Sequence, residues 1–188
     1  MILLFSDLHG NKKACKEIEK ISSKFECILF AGDICGYGKD FKYCINALKD
    51  MNVLAVLGNH DRMVVSGEDL RNEDPRVRAS IEWHRERLEE KEFYYLNSLP
   101  TFLSIKDIYV THSYHDEYIC NKDQCHLVAN MADNDLIVLG HTHIQMDVSI
   151  GKKRIVNPGS ISKGRQGHPR GYATWNNEEI MFIKLGEI

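Results

Sequence analysis

Leu136-Ile137-Val138-Leu139-Gly140-His141-Thr142-His143 joins an apolar run to a pair of histidines. The first four residues have the length and composition of a buried strand. In extended backbone, residues two apart share a side, so His141 and His143 are expected to face the same way. Neutral imidazole is the commonest side-chain ligand for a transition metal. The stretch therefore reads as a strand that delivers a pair of metal-competent groups at its end.

The same design recurs outward from it. Ile2-Leu3-Leu4-Phe5 runs into Asp7-x-His9, and Cys27 to Ala31 runs into Gly32-Asp33. Val53 to Leu57 runs into Gly58-Asn59-His60-Asp61, and Ile108 to Val110 into Thr111-His112. Five of the nine histidines stand at these run ends, which chance placement explains poorly. Between the first three runs, Ala14, Ile18 and Ile21, then Phe41, Ile45 and Leu48, recur at helical spacing, with Asn11 and Asp40 placed to cap. Strand and helix in alternation predict a parallel, buried sheet. In such sheets ligands bind beyond the carboxyl ends of the strands, so neighbouring strands would bring these groups to one rim.

The remaining segments complete an architecture. Arg62 to Pro75 reads as a polar loop. A helix is expected to open at Pro75, with Val77, Ile81, His84 and Leu88 on one face. Thr101–Ile105 and Ile108–Val110 should pair about a turn at Lys106-Asp107. Asp123 to Met131 reads as a helix with Leu127, Val128 and Met131 inward. The tail reads as strands over 144–150, 153–156, 172–176 and 180–185, with turns at Gly151-Lys152 and Asn176-Asn177-Glu178. The order fits an α/β fold of four layers, an α/β/β/α sandwich of two mixed sheets flanked by helices, formed by one domain over residues 1–188.

Composition narrows the function classes. A net charge of −3 argues against a general nucleic-acid binder. No apolar run is long enough for a membrane span or a signal peptide, so a cytoplasmic protein is expected, free of membrane and stable nucleic-acid partners and open to homo-oligomerisation. None of the six cysteines forms Cys-x-x-Cys, which removes a zinc ribbon or thioredoxin-like site. Cys15, Cys27 and Cys44 read as small core residues. The basic residues of the tail, Lys152, Lys153, Arg154, Lys163, Arg165 and Arg170, read as a solvated face, with the holding of an anionic substrate near the site as the alternative.

The donor set mixes imidazole, carboxylate and one amide oxygen, without thiolate. It suits Mn, Fe, Co, Ni or Zn rather than a structural zinc site or a calcium cage. It holds more ligands than one ion needs. Two divalent ions about 3.5–4 Å apart, sharing a carboxylate, would use them all, and such pairs serve hydrolysis of phosphate esters.

Asp7-x-His9, Gly32-Asp33, Gly58-Asn59-His60-Asp61, His112 and Gly140-His141-x-His143 together resemble the calcineurin-like metallophosphoesterase superfamily. Gly32 to Gly38, Leu99-Pro100 and Asn157-Pro158-Gly159-Ser160 are similar to a branch of minimal bacterial and archaeal phosphoesterases. The resemblance implies that Asp7, His9, Asp33 and His143 hold a first metal. It implies that Asp33, Asn59, His112 and His141 hold a second, with Asp33 as bridge, Mn as the leading candidate, and a hydroxide between the ions as nucleophile. His60 follows a ligand and would support a phosphoryl oxygen or the leaving group; Asp61 would orient His60. Asn11 and Asn157 are candidates for contact with the substrate phosphate or the residues around it, with structural turn roles as the favoured alternative. The substrate implied is a phosphodiester of a small molecule or nucleotide, with a phosphomonoester as the alternative. The same fold also serves as a protein-interaction subunit with a degraded site in the eukaryotic retromer complex; here every ligand position is filled. Where related protein phosphatases carry Asp-Arg at the second motif, this chain has Gly36-Tyr37.

Overall fold

Ten strands and six helices are laid down by a computed structural model that describes residues 1–188. In chain order the first half is β1 (Ile2–Phe5), α1 (Lys12–Ser22), β2 (Cys27–Phe30), α2 (Phe41–Asp50), β3 (Leu54–Ala55), α3 (Asn59–Ser66), α4 (Pro75–Arg85) and α5 (Glu90–Ser98). The second half is β4 (Phe102–Ile105), β5 (Ile108–Thr111), α6 (Lys122–Ala129), β6 (Leu136–Val138), β7 (Gln145–Ile150), β8 (Lys153–Pro158), β9 (Gly171–Trp175) and β10 (Ile180–Lys184). The strands form two five-stranded mixed sheets, ordered β10-β9-β1-β2-β3 and β4-β5-β6-β8-β7. β1, β2 and β3 are parallel, as are β5, β6 and β8.

Strand alternation builds the layers. Leu3 and Phe5 of β1 and Ile28 and Phe30 of β2 turn toward α1 and α2, in a cluster with Ile18, Phe41, Ile45 and Leu48. Leu4 and Leu29 turn the other way, against Val110, Val138, Val156 and Ala173, which fill the space between the sheets. Tyr109, Ile137 and Ile155, on the far face of the second sheet, pack on Cys125, Val128 and Ala129 of α6. Each central strand is thus covered on both faces, which is why it reads as an unbroken apolar run. The result is the expected α/β/β/α sandwich.

Several local expectations need correction. Arg62–Pro75 is not all loop, because α3 runs from Asn59 to Ser66. The Asp61 carboxylate accepts the Gly58 N–H at 3.2 Å and so closes the first turn of that helix. Gly67 ends the helix in the left-handed region, at φ +68°. α5 was also absent from the sequence reading. The third strand is a two-residue edge ladder; beyond it Leu57 N–H donates instead to the Pro100 carbonyl at 2.8 Å. Asp40 precedes α2 without capping it, whereas Asn11 Oδ1 does cap α1. Leu127 is exposed, and Cys125 takes the inward place. No helix is long and apolar enough to cross a membrane.

Candidate metal centre

The strand ends deliver the donors to one rim between the sheets. Asp7 and His9 follow β1, Asp33 follows β2, and Asn59 opens α3 just beyond β3. His112 follows β5, and His141 and His143 follow β6. All except the half-buried Asn59 are buried. The chain leaves these strands by sharp bends rather than by extension. Asp7, His9, Asp33, His141 and His143 all have left-handed backbone, at φ +57°, +48°, +68°, +70° and +61°. The sequence reading placed His141 and His143 in extended backbone on one side; the bends overturn that premise and send the two rings to different neighbours. Left-handed backbone at a non-glycine residue costs roughly 1–3 kcal/mol and persists where the surroundings over-determine it.

Two groups of donors result. In the first, His143 Nε2 lies 2.9 Å from His9 Nε2 and 3.3 Å from Asp7 Oδ1, and His9 Nε2 lies 3.7 Å from Asp7 Oδ1. In the second, Asn59 Oδ1 lies 3.0 Å from both His112 Nε2 and His141 Nδ1. Asp33 stands between them, its Oδ2 3.8 Å from His9 Nε2 and 3.4 Å from His112 Nε2.

The far nitrogen of each of these rings is tied to a backbone carbonyl. His9 Nδ1 donates to Cys35 O at 2.9 Å, His112 Nδ1 to Ala31 O at 2.6 Å, and His143 Nδ1 to Lys163 O at 2.9 Å. His141, turned the other way round, donates from Nε2 to Asp116 O at 3.1 Å. A ring N–H committed to a carbonyl fixes the tautomer and turns the other nitrogen's lone pair inward, as metal-ligating histidines require. The inward lone pairs then meet one another. His9 and His143 face each other at 2.9 Å beside Asp7 Oδ1, a buried oxygen without a hydrogen-bond partner. Acceptors crowded in this way call for a cation, so the donor set fits a transition metal.

Ionisation follows the same geometry. Burial pushes the Asp7 and Asp33 carboxyls up, but the imidazoles of His143 beside Asp7 and of His112 beside Asp33 outweigh it and hold both low. Burial pulls His9 down to about 3, and lowers His60 and His141 as well. At His112 burial also pulls down, yet Asp33 overrides it and raises the ring to about 10.

The description "Calcineurin-like phosphoesterase superfamily domain" belongs to a family model that matches residues 1–179. The chain is a member of that superfamily. It is 30% identical over 193 residues to the uncharacterized protein MJ0912 of Methanocaldococcus jannaschii, covering 89% of this chain and 78% of that one. It is 35% identical over 54 residues to the phosphodiesterase YfcE of Escherichia coli K12, 29% of each chain. A crystal structure of a metallophosphoesterase from Sphaerobacter thermophilus superposes with a TM-score of 0.85 at 25% identity, covering 100% of this chain and 89% of that one. This calcineurin-like phosphoesterase is a metal-dependent phosphoester hydrolase.

Other residues of the phosphoesterase take places different from those expected. The Asp61 carboxylate makes no hydrogen bond to the His60 ring. Its Oδ2 accepts the N–H groups of Asp33, Ile34 and Gly58 at 3.0, 3.1 and 3.2 Å, and its Oδ1 that of Cys35 at 2.7 Å. The buried carboxylate therefore gathers the loop that supplies Asp33 and the carbonyl holding His9. His60 Nδ1 is buried without a partner, and its Nε2 lies 4.0 Å from Asp33 Oδ2. Asn157 is fully buried and spent on its own turn, donating to Gly140 O and Thr142 Oγ1 at 2.6 and 3.0 Å and accepting Gly159 N–H at 2.9 Å. It offers nothing to a substrate. Asn11 lines the cleft, but its oxygen caps α1 and its amide donates to Ser162 Oγ at 2.9 Å. A Cβ at Gly36, at φ +131°, would lie 2.2 Å from His9 Nδ1, so only glycine fits beside that ring.

The phosphoesterase also carries rim residues that the sequence reading left aside. Tyr37 and Tyr118 flank the cluster, Tyr37 with its ring 4.9 Å from His9 and Tyr118 with its ring 4.4 Å from His141. The basic tail proves divided. Lys153, Arg154 and Arg170 are tied to Ala129 O, Asp147 and Glu17, whereas Lys163 and Arg165 face the cleft. Tail charge alone does not distinguish the two groups; the placement of each residue on β8 or in the 159–170 loop does.

Proposed function

We propose that the chain hydrolyses a phosphodiester of a small molecule or nucleotide at a two-metal centre. The observation that carries this reading is the convergence of carbonyl-anchored imidazole lone pairs on two points that share Asp33. Asp7, His9, Asp33 and His143 would hold one ion; Asp33, Asn59, His112 and His141 would hold the other. The family resemblance makes Mn the leading candidate, and the mixed N/O set also admits Fe, Co, Ni and Zn. Bound there, such ions lower the pKa of a water and clamp the oxygens of the phosphoryl group.

The chain's own residues do the rest. His60 lacks the carbonyl tie of the four anchored histidines and is assigned no ion. Burial keeps its ring neutral, so it carries one N–H, which supports the phosphoryl or leaving oxygen as charge builds there. Asp61 positions Asp33 and, through the Cys35 carbonyl, His9. The word phosphodiesterase in the name of the similar Escherichia coli protein favours a diester over a monoester. Metal analysis of the purified protein, with turnover of bis(p-nitrophenyl) phosphate against p-nitrophenyl phosphate under several divalent ions, tests the reading. Two bound ions per chain and faster diester cleavage are expected; absence of both bound metal and metal-stimulated turnover overturns it.

A further inference from the structure

Two cavities meet over the cluster. The smaller, about 330 Å³, is lined by Asp33, Asn59, His60 and His141. The larger, about 1140 Å³, runs outward past α1, the 37–40 loop and the 162–165 loop. It exceeds the 300–1,000 Å³ or so that a drug-sized ligand occupies, and far exceeds one phosphodiester group. Its walls are basic, with Lys12, Lys13, Lys16, Lys39, Lys163 and Arg165 all lining it. Arg76 also lines it but is matched by Asp74 at 3.8 Å, which leaves Asp40 as the one unmatched wall carboxylate. The lysine ion pairs of the chain are those of Lys42 and Lys91, outside the cavity. On a chain of net charge −3 this is a local surplus of unneutralised cations.

Arg165 stands where the cavities join and lines both. Its Nη1 donates to Tyr118 Oη at 3.0 Å and its Nη2 to Tyr37 Oη at 3.3 Å. Its backbone N–H donates to the His143 carbonyl at 3.3 Å. No carboxylate pairs with it. The two tyrosines hold the guanidinium across the mouth of the cluster, with Nε and two Nη protons still to spend. A planar guanidinium in that place is suited to the paired oxygens of a phosphate.

We propose that the large cavity is a polyphosphate subsite: the substrate is a phosphate ester carrying at least one further phosphate, with Arg165 at the junction and the lysines along the distal phosphates. This rests on the phosphoesterase reading above and specifies its substrate class. A basic patch confined to one cleft of a chain of net charge −3 favours a small polyanion over a nucleic-acid strand, whose track would be a continuous basic surface.

The test uses two esters that share leaving group and nucleoside, the p-nitrophenyl esters of thymidine 5′-monophosphate and of thymidine 5′-triphosphate, with the full-length metal-loaded protein. We expect kcat/KM for the triphosphate ester to exceed that for the monophosphate ester at least tenfold. The double variant Lys13→Gln/Lys163→Gln should shrink that ratio toward one, and Arg165→Lys should lower kcat/KM for both esters. Calorimetry with tripolyphosphate on the metal-free protein supplies a readout independent of turnover. Its Kd should weaken at least tenfold in the double variant. Turnover of both esters at a ratio unmoved by the lysine changes overturns the subsite and leaves the phosphoesterase reading intact. No turnover of either ester or of bis(p-nitrophenyl) phosphate under any metal defeats that reading, and tripolyphosphate binding unmoved by the lysine changes defeats the subsite. Oligothymidylates that bind more tightly with each added nucleotide, beyond tripolyphosphate, overturn the subsite in favour of a strand.

Discussion

The cluster at the strand ends and the basic cavity beside it are opposite kinds of site. In the cluster the four anchored rings are fixed by burial and by a carbonyl behind each, and five of the seven donor positions by a bent backbone as well. In the cavity, Arg165 at the junction apart, the unmatched cations are lysines on flexible stems, two of them over the Tyr43 ring at 4.6 and 5.9 Å. Bond-making chemistry requires atoms held to fractions of an ångström, because misplacement by about 1 Å costs about 100-fold in rate. Recognition of a flexible polyanion requires only charge of the right sign at the right depth. The molecule spends its rigid backbone on the first task and its mobile side chains on the second.

The contrast is broken most severely at Asp33, the carboxylate common to both donor groups. Asp33→Ala should abolish diester turnover and leave less than one ion per chain by elemental analysis; retention of two ions would show that the groups do not share it. His60→Ala comes next. Turnover should fall by about 10²–10⁴-fold, the range for a positioned acid–base group, with metal content unchanged. Loss of metal in that variant would make His60 a ligand. Asp61→Ala should act through the loop: four buried N–H groups lose their acceptor, and orphaning even one costs about 1–3 kcal/mol. Thermal unfolding should shift down, and metal affinity should weaken by about 10–100-fold, as loss of outer-shell partners does. Chelation of the wild type should also lower its stability, by about 2.7 kcal/mol for each ion removed, relative to protein held at 100 times that ion's Kd. Salt is the mildest probe. Raising it over a range that shortens the screening length from about 10 Å toward 3 Å should weaken tripolyphosphate binding while metal content stays constant.

The two regions were also unequally legible in the sequence. The strand runs were readable because both faces of each central strand are covered, so Leu3, Leu4 and Phe5 are all apolar. The cluster was readable because histidine is scarce and its placement at run ends is visible without a fold. What lay beyond reach was whatever backbone supplies. The carbonyls of Ala31, Cys35, Asp116 and Lys163 that orient the rings have no side-chain signature. α3 was missed because its first turn, Asn59-His60-Asp61, is chosen for the site rather than for helical periodicity. Asp61 itself was readable as a carboxylate next to His60, but only the fold shows four amides converging on it. Arg165 was indistinguishable from Arg154 and Arg170 until the fold gave those two carboxylate partners and left it with two phenols.

The left-handed ligand positions set two selection pressures against each other. Asp7, His9, Asp33, His141 and His143 sit where glycine is the residue the backbone itself prefers. In a mutational scan read for folding alone, without metal, glycine should be better tolerated at these five positions than alanine, since it alone relieves the bend. In the same scan read for catalysis, glycine should fail there completely. A site that stands out because its best-folding and best-working residues differ can be located from such a pair of scans without knowledge of the substrate.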